Sequence, residues 1–309
     1  MVRLFCRLTL SILAALTLPL VARGQSADIP RAVGVDPPTD PAHPANTLSI
    51  EIESHGEMMN GVIYRPAGSG PFPLVILAHG LPGNEQNLDL AQAMRRAGWA
   101  VLTFHYRGAF GSEGKFSIDG ALQDMDAVIA RAHASDVVVQ WNIDPKRIVL
   151  MGHSMGGLAA AHASDGAPDR LGTALLAPWD PSTLAGLLRP KPLAERNAMA
   201  VARWGDVSHG RLTGISAEQI SADIVDHGER WRLADTASGL MGKPLLIVTA
   251  THDQPQSKAI ALGAALQAKG VKPVTTELDS NHCFDDHRIA LEIVVLRWLA
   301  TLPGAPVGN

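Results

Sequence analysis

Apolar positions along the chain fall into short continuous runs separated by stretches of helical spacing. Leu48-Ser49-Ile50-Glu51-Ile52 alternates, as a strand with one covered face does, and Met59 to Tyr64 forms a second run before Arg65-Pro66. Pro73 to Ala78 is apolar throughout, the pattern of a strand covered on both faces. Trp99 to His105, Ile148 to Met151, Leu171 to Ala177 and Pro244 to Ala250 read the same way, and Val271 to Leu278 reads as the last strand. Between them a helix is expected over Asn87 to Ala97. A second carries Ile118, Leu122, Met125, Ile129 and Ala132 on one stripe. Further helices are expected up to Lys269 and over Asp285 to Leu302. This alternation predicts the α/β class: a mostly parallel sheet with helices on both faces, and chemistry at the carboxyl ends of its strands.

Residues 181–241 break the rhythm. They are helix-like, with Pro181, Pro190 and Pro192 punctuating the start, and fill a connection that needs only a few residues. They read as a helical lid insertion, with Trp204 and Trp231 expected to pack inside it, the alternative being that they line an acyl pocket. The main domain is expected over residues 47–302, after an extended leader at 25–46 and before a C-terminal tail at 303–309.

The first 24 residues have the pattern of a secretory signal peptide. Arg3 and Arg7 precede the apolar run Leu8 to Ala22, which closes on Ala22-Arg23-Gly24. The run is short for a spanning helix and contains Pro19. The expected destination is therefore the periplasm or the exterior, with no stable membrane insertion after cleavage. Cleavage would remove Arg3, Arg7 and Arg23 and move the formal net charge from −4 to −7. No basic cluster offsets that charge, so nucleic acid is not an expected partner. Of the two cysteines, Cys6 lies in the signal, so the mature chain would hold only Cys283, read as a small buried hydrophobe.

The chemistry centres on Arg147 to Leu158. There the apolar run Ile148 to Met151 enters Gly152-His153-Ser154-Met155-Gly156 and then helix-compatible residues. This is G-x-S-x-G between a strand and a helix, the setting in which such a serine stands on a sharp turn flanked by residues that must be small. Two more strand ends carry matching chemistry. Asp253 lies three residues past the strand 244–250, and His282 lies in the loop after 271–278. The chain order Ser, Asp, His is that of one class of serine hydrolases and differs from the protease orders.

On these residues the chain resembles the α/β-hydrolase superfamily, in the branch of dienelactone-hydrolase-like, feruloyl-esterase-like and serine-aminopeptidase-like proteins. The resemblance is carried by His79-Gly80, Tyr106-Arg107-Gly108 with Gly111-Ser112, Ile143-Asp144-Pro145, the elbow itself, Asp253 and His282. It implies Ser154 as nucleophile, His282 as general base and acid, and Asp253 as the group orienting the imidazole. It implies an oxyanion hole from the backbone N–H of Met155, after the nucleophile, and of Leu81, since Pro82 has no N–H. In relatives the residue before the histidine is often Gly or Asp; here it is Asn281.

Other acids compete with Asp253: Asp279, close to the histidine in sequence, and Asp285 and Asp286, read as starting the last helix. His287 and His252 compete with His282. His79 is expected to brace its loop, His153 to pack within the elbow, and Arg107 to order the turn after its strand. The histidines show no metal-binding spacing and no dinucleotide fingerprint follows a strand, so neither metal nor cofactor is expected. The expected partner is a small-molecule acyl ester. Amide or peptide cleavage, with lid acids Glu195, Glu218 and Glu229 as candidates for an acidic recess, and thioester cleavage remain alternatives with the same three residues. A hydrolase-fold binding protein without turnover is a further one. A dehalogenase would carry Asp where Ser154 stands.

Overall fold

A computed structural model of the chain describes residues 29–205 and 210–306. The signal sequence read over 1–24 lies outside the described residues. One eight-stranded sheet organises the molecule, in the order β1-β2-β4-β3-β5-β6-β7-β8. The strands are β1 (Asn46–Ser54), β2 (Glu57–Arg65), β3 (Phe72–Ala78), β4 (Ala100–Phe104), β5 (Ile143–His153), β6 (Gly172–Leu176), β7 (Leu245–Ala250) and β8 (Val274–Leu278). β1 and β2 form a hairpin that joins β4 antiparallel; from β4 across to β8 every pairing is parallel.

The burial of each strand explains its place. All seven residues of β3 are buried, as its uninterrupted apolar run requires at the centre of a sheet covered on both sides. β8, at the edge, has no buried residue. Its start falls at Val274, later than the apolar run suggested, because Pro273 has no N–H to give a ladder.

Helices cover both faces. On one side α3 (Ile118–His133), α4 (Ser135–Trp141) and α5 (Met155–Ala163) pack with Ile52, Met59, Ile63, Leu74, Ile76 and Leu150. On the other, α2 (Leu88–Arg96) and α10 (Arg288–Ala300) pack on Val75, Leu77, Val101, Val149 and Val248. α4 has no counterpart in the expected elements: its Val137-Val138-Val139 run has β-branched character, but Val137 and Trp141 are buried against the sheet and hold it helical. After β7 the chain makes a single 3-10 turn, Pro255–Ser257, before α9 (Ile260–Ala268). The last helix starts at Arg288, not Asp285. Asp285 and Asp286 are instead held by Asn281 Nδ2 and Ser280 Oγ, which keeps them in the preceding loop.

Residues 29–45 are extended apart from one helical turn, α1 (Arg31–Gly34). Its Ala32 is buried between α2 and α10, and Arg96 Nε donates to the Ala32 carbonyl at 2.6 Å. The leader is thus docked at this turn. At the other end, Ala305 packs on the same cluster.

Among the described residues, 181–241 hold α6 (Pro181–Leu188), α7 (Leu193–Trp204), α8 (Ala217–His227) and the 3-10 turns Gly228–Trp231 and Leu233–Ala237. Asp180 caps α6, with Pro181 in its first turn, and Ser216 with Gln219 forms a reciprocal capping box on α8. The insertion is tied to the loop after β4, where the Phe110 and Phe116 N–H groups donate to the Arg211 and Thr213 carbonyls. At its base Asp180, the cap of α6, donates its N–H to the Gln256 carbonyl in the loop after β7. Trp231 is buried, but its indole N–H reaches out of the insertion to Asp119 of α3.

The loop after β4 is ordered by one buried ion pair. Asp124 of α3 is fully buried and accepts from Ser54 Oγ at 2.7 Å, Arg107 N–H at 2.8 Å and Arg107 Nε at 2.5 Å. Removing one partner of such a pair leaves an uncompensated charge and costs about 3–5 kcal/mol. Asp124→Ala is therefore expected to lower the urea midpoint of unfolding strongly; a midpoint at the wild-type value would contradict this role.

Candidate active site

Ser154 ends the strand β5 and starts the helix α5, with φ 57° and ψ −118°. A non-glycine residue there is strained by an order of 1–3 kcal/mol, and the surroundings must hold it. Two main-chain bonds do: Ser154 N–H donates to the Leu176 carbonyl and Trp179 N–H to the Ser154 carbonyl, each at 2.9 Å. The flanking glycines are needed for space alone. A Cβ on Gly152 would stand 2.0 Å from the Gly156 carbonyl oxygen, and one on Gly156 would stand 2.1 Å from the Ala78 oxygen. Gly80 follows the same logic, because a Cβ there would lie 2.9 Å from Ser154 Cβ. The loop after β3 is thereby pressed against the serine.

The acid and the histidine meet as their strand-end positions predicted. Asp253 Oδ2 accepts from His282 Nδ1–H at 2.8 Å, with the Asp253 side chain 1% exposed and that of His282 28%. A proton on Nδ1 leaves the lone pair of a neutral ring on Nε2. The competing groups are engaged elsewhere. Asp279 pairs with His252 at 3.0 Å on the surface, Asp285 with Asn281, and Asp286 with Ser280 and His287. The Ser154 hydroxyl makes no hydrogen bond among the described residues. Bonds of this kind often tighten only when substrate is present.

Two backbone N–H groups stand near the serine. Met155 is the first residue of α5, where an N–H has no intrahelical acceptor, and Leu81 N–H follows Gly80 without a hydrogen bond among the described residues. His79 braces this loop. Its Nδ1–H donates to the Gly80 carbonyl at 2.7 Å, and the Tyr106 hydroxyl donates to the His79 carbonyl at 3.0 Å. Burial pushes the His79 pKa down to about 4, with the Gly80 carbonyl opposing and His105 assisting.

Two residues carry more of the site than their sequence context suggested. His153 Nε2–H donates to the main-chain carbonyl of His282 at 2.9 Å, with the two rings 4.9 Å apart. Burial, then the neighbouring His282, lowers its pKa to about 3. Arg288 holds the next carbonyl, that of Cys283, at 2.8 Å, and binds Asp89 with two nitrogens at 2.6 and 2.7 Å. No spacing rule marks either role: His153 reaches a carbonyl 129 residues away, and Arg288 holds a carbonyl five residues before it while bound to Asp89, 199 residues away. Cys283 itself is half-buried and its thiol pKa is raised to about 11, first by burial, so it is no nucleophile at neutral pH.

A central sheet with this order, a strained serine between strand and helix, and an Asp–His pair at the next strand ends define a serine-hydrolase-like α/β protein. The Alpha/beta hydrolase family model matches residues 75–291, and the chain belongs to that family. Among curated proteins it is similar to the quorum-quenching protein AidA of Acinetobacter baumannii (strain MDR-ZJ06), 34% identical over 120 residues. That match covers 37% of this chain and 38% of the relative, so the likeness spans well under half of either. Among solved structures it resembles Est1E from Butyrivibrio proteoclasticus with bound ferulic acid: 21% identity, TM-score 0.58, covering 81% of this chain and 98% of that one. It also resembles the acylaminoacyl peptidase of Pyrococcus horikoshii, with 14% identity, TM-score 0.62, and coverage of 84% and 42%. These two share the fold.

The elbow's packing gives a direct contrast. Gly156→Ala is expected to cost about 3 kcal/mol or more, because the clash is with main chain that cannot move aside. Gly186→Ala, on an open face of α6, should be neutral or stabilise by up to about 1 kcal/mol. Thermal melts of the two variants check this; equal melting temperatures would contradict it.

His79 and His153 also predict an acid limb of stability. Both have pKa values below the ordinary 6.5, so the unfolded chain binds more protons than the folded one as the pH falls below 6.5. Stability should then rise with pH from about 4 to about 6.5, each group contributing at most about 1.4 kcal/mol per pH unit. Urea midpoints measured from pH 7 to 4.5 should fall, and fall less steeply in His153→Gln. Parallel slopes would contradict burial of His153 as a neutral ring.

Proposed function

We propose that the protein is an exported serine hydrolase that cleaves carboxylic esters through an acyl-enzyme. The observation that carries this reading is the 2.8 Å Asp253–His282 bond at strand ends beside the strained Ser154. In this mechanism His282 Nε2 takes the Ser154 proton as Oγ attacks the acyl carbonyl. Asp253 stabilises the imidazolium, and the Leu81 and Met155 N–H groups receive the oxyanion, each worth about 3–4 kcal/mol. The imidazolium then protonates the departing alcohol. Water, activated by the same ring, releases the acid and regenerates Ser154. Residues 181–241, tied to the loops beyond β4 and β7, act as a lid over this edge of the sheet.

The ester reading is supported over an aminopeptidase-like one by the state of the insertion's acids. A recess for a substrate ammonium needs an uncommitted carboxylate. Glu195 is paired with Lys191 at 2.5 Å, and Glu229 with both Arg189 and Arg232. Glu218 is exposed in the first turn of α8. The ferulic acid bound to Est1E and the peptidase among the similar structures mark the two chemistries to be compared. Export rests on the residue pattern of 1–24. Amino-terminal sequencing of the protein recovered outside the cytoplasm, starting near Gly24 or a few residues later, would support it.

A fluorophosphonate probe is expected to label wild type and not Ser154→Ala, and p-nitrophenyl butyrate should turn over faster than an aminoacyl-nitroanilide. Unlabelled wild type at pH 8 would remove the catalytic assignment. Faster anilide cleavage would remove the ester preference alone.

A further inference from the structure

The second residue of the elbow is more than filler. His153 is the last residue of β5, its main chain fixed by pairing with Leu176 of β6, so its ring is mounted on the rigid centre of the sheet. The residue is 3% exposed and lies against the rings of His282 and Phe284. Its Nε2 meets a carbonyl oxygen, which can only accept, so Nε2 carries the hydrogen; burial, with nothing among the described residues to accept from a second N–H, keeps the ring neutral. Nδ1 is then an acceptor, and it is buried with no partner among the described residues. An imidazole left half-satisfied packs less favourably than an apolar ring of the same size. What it gains in exchange is the single bond to the His282 carbonyl.

That bond acts where the Asp253 carboxylate cannot. Asp253 fixes the tautomer and tilt of the His282 ring from its Nδ1 side. The main chain of the loop is held separately: His282 C=O by His153, Cys283 C=O by Arg288 Nη1, and the Cys283 and Asp285 N–H groups by Asn281 Oδ1 at 3.2 Å each. Of these, only the His153 bond joins the histidine loop to the strand that presents the serine. It spans 129 residues of sequence and makes the elbow and the histidine loop one rigid unit.

We propose that His153 is a positioning residue, its Nε2–H bond to the His282 carbonyl setting the reach of the His282 imidazole toward Ser154. This rests on the reading of Ser154 and His282 as nucleophile and base, and deepens it. His153 touches neither substrate nor reacting atoms. Its loss should slow the chemical step while leaving substrate binding in place.

The test compares wild type with His153→Leu, which keeps the volume without the donor, and His153→Gln, whose amide N–H reaches about as far as Nε2. With p-nitrophenyl butyrate, His153→Leu should lower kcat about 10- to 100-fold, as expected of a base displaced by a fraction of an ångström to about 1 Å. KM should stay within about twofold of wild type. The rate of fluorophosphonate labelling should fall in parallel, and His153→Gln should recover most of both. If His153→Leu does not fold, His153→Asn against His153→Gln decides, because the shorter amide cannot reach the carbonyl: Asn should be slow and Gln fast. Wild-type kcat in His153→Leu, or Gln no better than Leu or Asn, overturns the proposal while wild-type labelling leaves the nucleophile reading standing. A wild type that does not label sinks that reading and this proposal with it.

Discussion

At the end of β5 the main chain turns so tightly that backbone packs directly on backbone. The carbonyl of Ala78 fills the space where a Gly156 side chain would be, and the Gly156 carbonyl fills that of Gly152. This contact sets the distance between β3 and β5 at their carboxyl ends, and with it the position of the loop from His79 to Leu81 relative to Ser154. The serine's strained φ and ψ follow from the same approach: a relaxed residue there could not pass from strand to helix in one step. Most features of the site depend on this constraint, including the Met155 N–H at the start of α5 and the closeness of Gly80.

The histidine side of the site is built differently. Strand ends bring Asp253 and His282 to the same edge, but a loop at a sheet edge does not hold a ring to a fraction of an ångström by itself. β8 has no buried residue to stiffen it. Rigidity comes instead from polar bonds into the better-packed parts of the fold: His153 from the elbow strand, and Arg288 through Asp89 from α2. Close main-chain packing fixes the nucleophile, whereas side-chain hydrogen bonds fix the base.

This division explains what could be read in the sequence. The strands were legible because continuous apolar runs such as Pro73 to Ala78 have few alternatives in a sheet covered on both faces. Ser154 and Asp253 could be found because each follows such a run, and His282 because it lies in the loop after the last strand. α4 was not legible, since its valines favour a strand and only the contacts of Val137 and Trp141 hold it helical. The start of the last helix was misplaced because Asp285 and Asp286 resemble caps, and nothing local reveals that Asn281 and Ser280 claim them. Trp231 was expected to pack inside the insertion. It does so with its ring, yet its indole N–H leaves for Asp119, a partner 112 residues away. His153 shows the limit most clearly: the motif fixes its position, while its ring answers to a carbonyl on another loop.

The central claim is that Ser154 carries the acyl group. Mixing the protein with p-nitrophenyl acetate, quenching in acid during the first turnovers and mapping the peptides by mass spectrometry tests it most directly. The account predicts an acetyl adduct on Ser154, appearing with a burst of nitrophenol and absent from Ser154→Ala. Turnover with no adduct on Ser154, or with the adduct on another residue, would contradict it.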